Sequence, residues 1–103
     1  MKAARVFRER KIVGDDAFVE MVIWHVPQPV LGSTHDYKYS LVLIIGDDCA
    51  LRYDNERGKG DHRHVGDREI DYDFQSLATL LADFWIDVEA CLNEHRDLQR
   101  PVQ

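Results

Sequence analysis

From Leu77 onward the apolar residues Leu77, Leu80, Leu81, Phe84, Val88, Cys91 and Leu92 recur three and four apart. That spacing predicts an amphipathic helix running to about His95, with a stripe wide enough to cover one face of a sheet. Asp83, Asp87 and Glu94 fall outside the stripe, and Asp71-Tyr72-Asp73 supplies capping side chains ahead of it. A one-sided helix must bury its stripe, so the residues before it are expected to provide the opposing surface.

They read as strands. Lys2 to Val13 alternates in part, Gly14-Asp15-Asp16 is a turn by composition, and Ala17 to Val26 is rich in β-branched and aromatic residues, which makes a hairpin with Trp24 in its core. Pro27-Gln28-Pro29 ends that strand, because proline has no ladder donor. His35 to Ile45 runs from an alternating polar entry into the unbroken apolar Leu41 to Ile45, and after Gly46-Asp47-Asp48 a short strand, Cys49 to Tyr53, returns. The expected fold is α+β: a four-stranded antiparallel β meander packed against one C-terminal α-helix.

The 103 residues, 45% of them hydrophobic, suffice for one core, so residues 1–103 are read as a single domain with 99–103 a frayed tail. The longest apolar run, Leu41 to Ile45, has the length of a buried strand, far short of the roughly 20 residues that span a bilayer. No apolar signal region follows Met1-Lys2-Ala3-Ala4-Arg5, and a soluble cytoplasmic protein is expected. Cys49 and Cys91 have no ligand-like spacing and read as small apolar residues in a reducing compartment, with a disulfide as the alternative.

The net charge of -6 argues against coating nucleic acid with the whole surface. Its distribution is uneven: Lys2, Arg5, Arg8, Arg10 and Lys11 face Glu9 alone in the first 13 residues, whereas Asp73, Asp83, Asp87, Glu89, Glu94 and Asp97 face only Arg96 near the end. Both ends can be solvated faces, or a basic surface for phosphates and an acidic one for a basic partner.

The densest chemistry lies from Arg52 to His64, read as a loop: Arg52-Tyr53-Asp54-Asn55-Glu56-Arg57-Gly58-Lys59-Gly60-Asp61-His62-Arg63-His64. Gly58 and Gly60 around Lys59 permit positive φ and close approach of backbone amides to an oxyanion, or simply make a flexible turn. His62 and His64, two apart, project to one side of an extended backbone. Such a pair can act as base and acid on an RNA phosphate, with Arg52, Lys59 or Arg63 stabilising the charge. It can also join Asp61 or Asp54 around a divalent metal, or form a hydrogen-bonded network that only fixes the loop. Tyr37 and Tyr39 on the preceding strand can stack on bases or pack against the helix. His25 and His95 are read as structural.

Ile23-Trp24, Gly32-Ser33, His35-x-Tyr37-Lys38-Tyr39 and the long block from Leu51 through Arg52-Tyr53-Asp54-Asn55-Glu56 and Gly58-Lys59-Gly60-Asp61-His62 to His64 resemble the TumE family of bacterial toxins. The resemblance covers most of the chain and extends to Asp83-Phe84, while Ser40 stands where a basic residue is expected. It implies the toxin half of a two-gene toxin–antitoxin module, neutralised by a helix-turn-helix antitoxin protein.

The resulting expectation is a toxin that cleaves RNA without metal or other cofactor. His62 and His64 would be acid and base, Arg52 and Lys59 would stabilise charge, Tyr37, Lys38, Asn55 and Arg63 would contact substrate, and Asp54 or Asp61 would orient a histidine. The competing classes are a non-catalytic protein that sequesters a partner or phosphate-bearing ligand, and a metal-dependent nuclease or hydrolase.

Overall fold

The computed structural model describes residues 3–98. It contains β1 (Ala4–Gly14), β2 (Ala17–His25), β3 (Tyr37–Ile45), β4 (Asp48–Glu56), β5 (Gly60–Val65), β6 (Arg68–Asp71) and α1 (Leu77–Leu98). The six strands form one antiparallel sheet in chain order, and the helix packs on one of its faces. The expected α+β architecture therefore holds, with six strands in place of four.

β5 comes from the stretch read as a loop, and β6 from the residues between that stretch and the expected helix. β4 continues past Tyr53 to Glu56, the chain turns at 57–59, β5 pairs back along β4, and β6 pairs with β5 after a turn at Gly66-Asp67. Strand propensity is hard to see here because Asp54-Asn55-Glu56 are poor strand formers and β5 is polar on both faces, so no apolar alternation marks it.

The core is the buried layer between sheet and helix. Val19, Met21 and Ile23 of β2, Tyr39, Leu41 and Leu43 of β3, and Leu51 and Tyr53 of β4 meet Leu80, Phe84 and Val88 of α1. Burial alternates along β2 and β3, as expected for strands with one covered face. β1 is different: most of it is exposed on both faces, with only Phe7 and Val13 half-buried.

Three local expectations need correction. The helix is capped by Ser76, whose Oγ accepts a hydrogen bond from the Thr79 amide at 3.1 Å; Asp71 instead ends β6 and Asp73 binds the Gln75 amide group. Asp83 and Asp87 turn toward the sheet and accept hydrogen bonds from Tyr72 and Tyr53, so only Glu94 of the three acids is exposed. Trp24 is exposed, because β2 places it on the sheet face that the helix leaves open. The terminal residues 99–103, read as a frayed tail, and Lys2 lie outside the described residues. Among those described, no helix is long and apolar enough to cross a membrane.

Candidate active site on the open sheet face

Directly opposed residues of antiparallel strands share a face, so the registers sort the chemistry of the sheet. One row of the open face runs Arg8, Val22, Ser40, Asp54, His62, Asp71 from β1 to β6. The next runs Arg10, Glu20, Val42, Arg52, His64, Glu69. His62 and His64 are thus flanked by Asp54 and Arg52 on one side and by Asp71 and Glu69 on the other.

The two histidines are held differently. His62 is buried at 9% exposure; its Nδ1 lies 3.1 Å from the Gly60 carbonyl, and its Nε2 lies 3.2 Å from Asp71 and 3.6 Å from Glu69. All three of these neighbours present acceptor oxygens to the ring. The Asp71 side chain is 97% exposed and can swing away without opening the core. His64 is half-exposed and makes no hydrogen bond or ion pair among the described residues, beside an exposed Arg52. Asp54, the cross-strand neighbour of His62, is buried, and its Oδ1 has no hydrogen-bond partner among the described residues. Among the described residues no hydrogen bond joins that oxygen to the His62 ring, whose nitrogens face Gly60, Asp71 and Glu69.

The covered face holds Tyr37, Asn55, Asp61 and Arg63, in polar networks of its own. Asp61 accepts from Ser33 Oγ at 2.5 Å, from Tyr39 Oη at 2.7 Å and from His35 Nε2 at 2.6 Å. His35 Nδ1 in turn accepts the Tyr37 amide at 3.1 Å, which assigns its proton to Nε2. Asp61 therefore orients a histidine, but it is His35, whose ring stacks on Phe74 at 3.8 Å. Tyr37 is half-buried beside the same rings, within 6.2 Å of His35 and 6.1 Å of Phe74. Asn55 is fully buried, and Arg63 donates to Asp87 at 3.1 Å. Burial, followed by the hydrogen bond to Asp61, pushes the Tyr39 phenol far above its ordinary range. Burial and then Asp87 do the same for Tyr53, as burial and then Asp83 do for Tyr72.

The tip of the β4–β5 hairpin is used internally. The Gly58 amide donates to the Leu31 carbonyl at 2.6 Å and the Lys59 amide to Glu56 at 3.0 Å, so these two amides are committed to the fold and unavailable to an anion. Gly32 and Gly60 both have positive φ, and a Cβ on Gly60 would lie 2.7 Å from the Gly32 carbonyl oxygen. This glycine-to-glycine approach docks the 31–35 segment on the hairpin. Lys59 projects from the tip, 3.9 Å from Glu56, at the rim of a polar cleft of about 290 Å³ that also includes Ser33, Asp61, Asp71 and Asp73. Lys38, on the open face by register, donates its ammonium to the Asn55 carbonyl.

The structure thus brings Arg52, Asp54, His62, His64 and Lys38 onto one face, and sets Tyr37, Asn55, Asp61 and Arg63 on the other. Glu69 and Asp71 belong to the site but were not anticipated. Their signal was the Gly66-Asp67 dipeptide, a hairpin turn placing Glu69 and Asp71 opposite the two histidines. Among the described residues, no group of three or more His, Cys, Asp or Glu side chains is disposed to hold a metal ion.

A family model described as Toxin TumE matches residues 2–92. The chain belongs to the TumE toxin family. Membership makes it the toxin component of a toxin–antitoxin module, with a cognate antitoxin as partner. No curated protein and no solved structure matches the chain. The Arg52 to His64 block that carries the family resemblance is therefore a β-hairpin in this TumE-family toxin, with Arg52 and both imidazoles on one face and Arg63 on the other.

Proposed function

We propose that this toxin is an endoribonuclease acting without metal, with its reacting groups on the open face of β4 and β5. The observation that carries the reading is the contiguous set Arg52, His64 and His62 on a face that the helix does not cover. Two residues apart along a strand, the Cα atoms of His62 and His64 are separated by about 6.8 Å, so both imidazoles can reach one phosphate. His64, with its ring free, takes the proton of a ribose 2′-hydroxyl as that oxygen attacks the adjacent phosphorus. The bond from phosphorus to the 5′-oxygen breaks, and the His62 imidazolium supplies the proton that this leaving oxygen needs. The products are a 2′,3′-cyclic phosphate and a 5′-hydroxyl.

Arg52 stabilises the charge on the phosphorane oxygens. When substrate displaces Asp71, the Gly60 carbonyl at Nδ1 keeps the His62 ring in place, and the neighbouring Asp54 carboxylate offsets its positive charge. Lys38 and Lys59 contact neighbouring phosphates, while Asn55, Asp61, Tyr37 and Arg63 support the hairpin from behind. The antitoxin is a helix-turn-helix protein that blocks this activity.

One observation favours the sequestration class: His62 is nearly buried and lies beside two carboxylates, Asp71 and Glu69, that repel phosphate. Induced expression in bacteria separates the readings. The nuclease reading expects growth arrest with new RNA ends that His62→Gln and His64→Gln abolish. Arrest without new ends, or ends indifferent to both substitutions, refutes it. With purified toxin, cleavage should continue in chelator; loss in chelator with recovery on one divalent ion would support the metal-dependent class.

A further inference from the structure

The two histidine rows continue across the sheet to a surface with no role so far. They end on β1 at Arg8 and Arg10, and a third pairing adds Arg5, Trp24 and Lys38 on the same face. Arg5 and Arg8 form no ion pair among the described residues, and both are exposed. Arg10 lies flat on the Phe18 ring at 4.2 Å while reaching Glu20 at 3.2 Å. Trp24, 37% exposed, offers part of its indole to solvent on the face opposite the core residues of β2.

We propose that this surface is a track for single-stranded RNA, leading from Arg8, Arg10 and Trp24 on β1 and β2 to His62 and His64 on β5. The proposal rests on the nuclease reading of the open face and names the form of substrate that face accepts. Four strand spacings separate β1 from β5, about 19 Å, so the track holds several nucleotides beyond the scissile one. Arg5 and Arg8, which form no ion pair among the described residues, attract phosphates, and Arg10 is paired with Glu20, the one acid among the named residues at that end. An exposed indole offers a stacking platform to an unpaired base, whereas the bases of a duplex are already stacked. The charge gradient also gives direction: arginines lie at the β1 end, and Glu69 and Asp71 lie beyond the histidines at β6. The chain of phosphates is drawn in from β1 and reaches the histidines at the acidic limit.

The test is fluorescence anisotropy with a labelled single-stranded oligoribonucleotide and its duplex, using a His64→Gln background so that bound RNA stays intact. The paired change Arg8→Ala with Arg10→Ala should weaken binding and lower the slope of log affinity against log salt by about 1.4, at roughly 0.7 per phosphate contact. Trp24→Ala should weaken binding roughly 5- to 150-fold, with Trp24→Phe between it and the parent. Duplex RNA should bind more weakly than the single strand. Melting temperatures of the variants verify that these exposed substitutions leave the fold intact.

Unchanged single-strand affinity in both the arginine pair and Trp24→Ala overturns the track. So does unchanged RNA affinity accompanied by lost affinity for the purified antitoxin, which would assign the surface to that partner. Single-strand binding that depends on these residues, in a protein whose wild type makes no RNA ends, supports the track and refutes the nuclease reading alone.

Discussion

Asn55 replaces backbone with side chain. The β3–β4 ladder stops at Ser40 and Asp54, and beyond it Asn55 Oδ1 accepts the Tyr39 amide at 3.0 Å while Nδ2 donates to the Tyr37 carbonyl at 2.7 Å. Those bonds, with another to Ser33 Oγ at 3.2 Å, tie the first residues of β3 and the docked segment to β4. Asn55→Ala would leave a buried donor and acceptor unpaired and should cost about 2–4 kcal/mol in urea unfolding. Gly60→Ala faces a different obstacle, positive φ and the Gly32 carbonyl, and should destabilise by at least about 2 kcal/mol in the same assay. Nothing in the sequence distinguishes Asn55 from a ligand contact, because burial depends on which strand lies alongside. His62 and His64 were legible as a pair, since two-residue spacing puts side chains on one side of any extended chain.

At the level of elements, the helix stripe and the first two hairpins were legible because each buries one apolar face against another. β5 and β6 were not, since β5 exposes chemistry on one face and builds a polar network on the other. The helix is also fastened by polar bonds that no periodicity reveals: Tyr53 donates to Asp87 at 2.5 Å, and Tyr72 donates to Asp83 at 2.7 Å. These bonds make stability depend on pH in a defined direction. In the fold, Tyr39, Tyr53 and Tyr72 keep their protons well above the ordinary value of 10.0. Above that pH the unfolded chain binds fewer protons than the native one, so the free energy of unfolding falls as pH rises. The tyrosine contribution should be intact below about pH 10 and decline continuously above it; urea titrations from pH 8 to 11 test this. Tyr53→Phe should reduce stability at neutral pH by about 1 kcal/mol and flatten the alkaline decline. Equal slopes for variant and wild type would remove Tyr53 from that account. Phe84→Ala, in the buried layer itself, should cost about 3–5 kcal/mol at any pH where the fold persists.

The whole molecule measures 58 × 24 × 22 Å, and its helix covers one face of the sheet. One face is committed to packing, and the other carries arginines, an exposed tryptophan and the two histidines. A net charge of -6 hides this arrangement: the open face begins with three arginines of β1, and its acids, Glu20, Asp54, Glu69 and Asp71, lie on β2, β4 and β6. The account therefore predicts that the two faces fail differently. Substitutions behind the sheet at Asn55 or Tyr53 lower stability, whereas those at His64 or Arg52 abolish chemistry in a protein that melts normally. The most direct test is the rate at which purified toxin generates 5′-hydroxyl and 2′,3′-cyclic phosphate ends on single-stranded RNA, measured for the wild type beside His64→Gln. A fall of at least about 100-fold with an unchanged melting temperature is the predicted result. Wild-type cleavage by well-folded His64→Gln would contradict the assignment of the reaction to the open face.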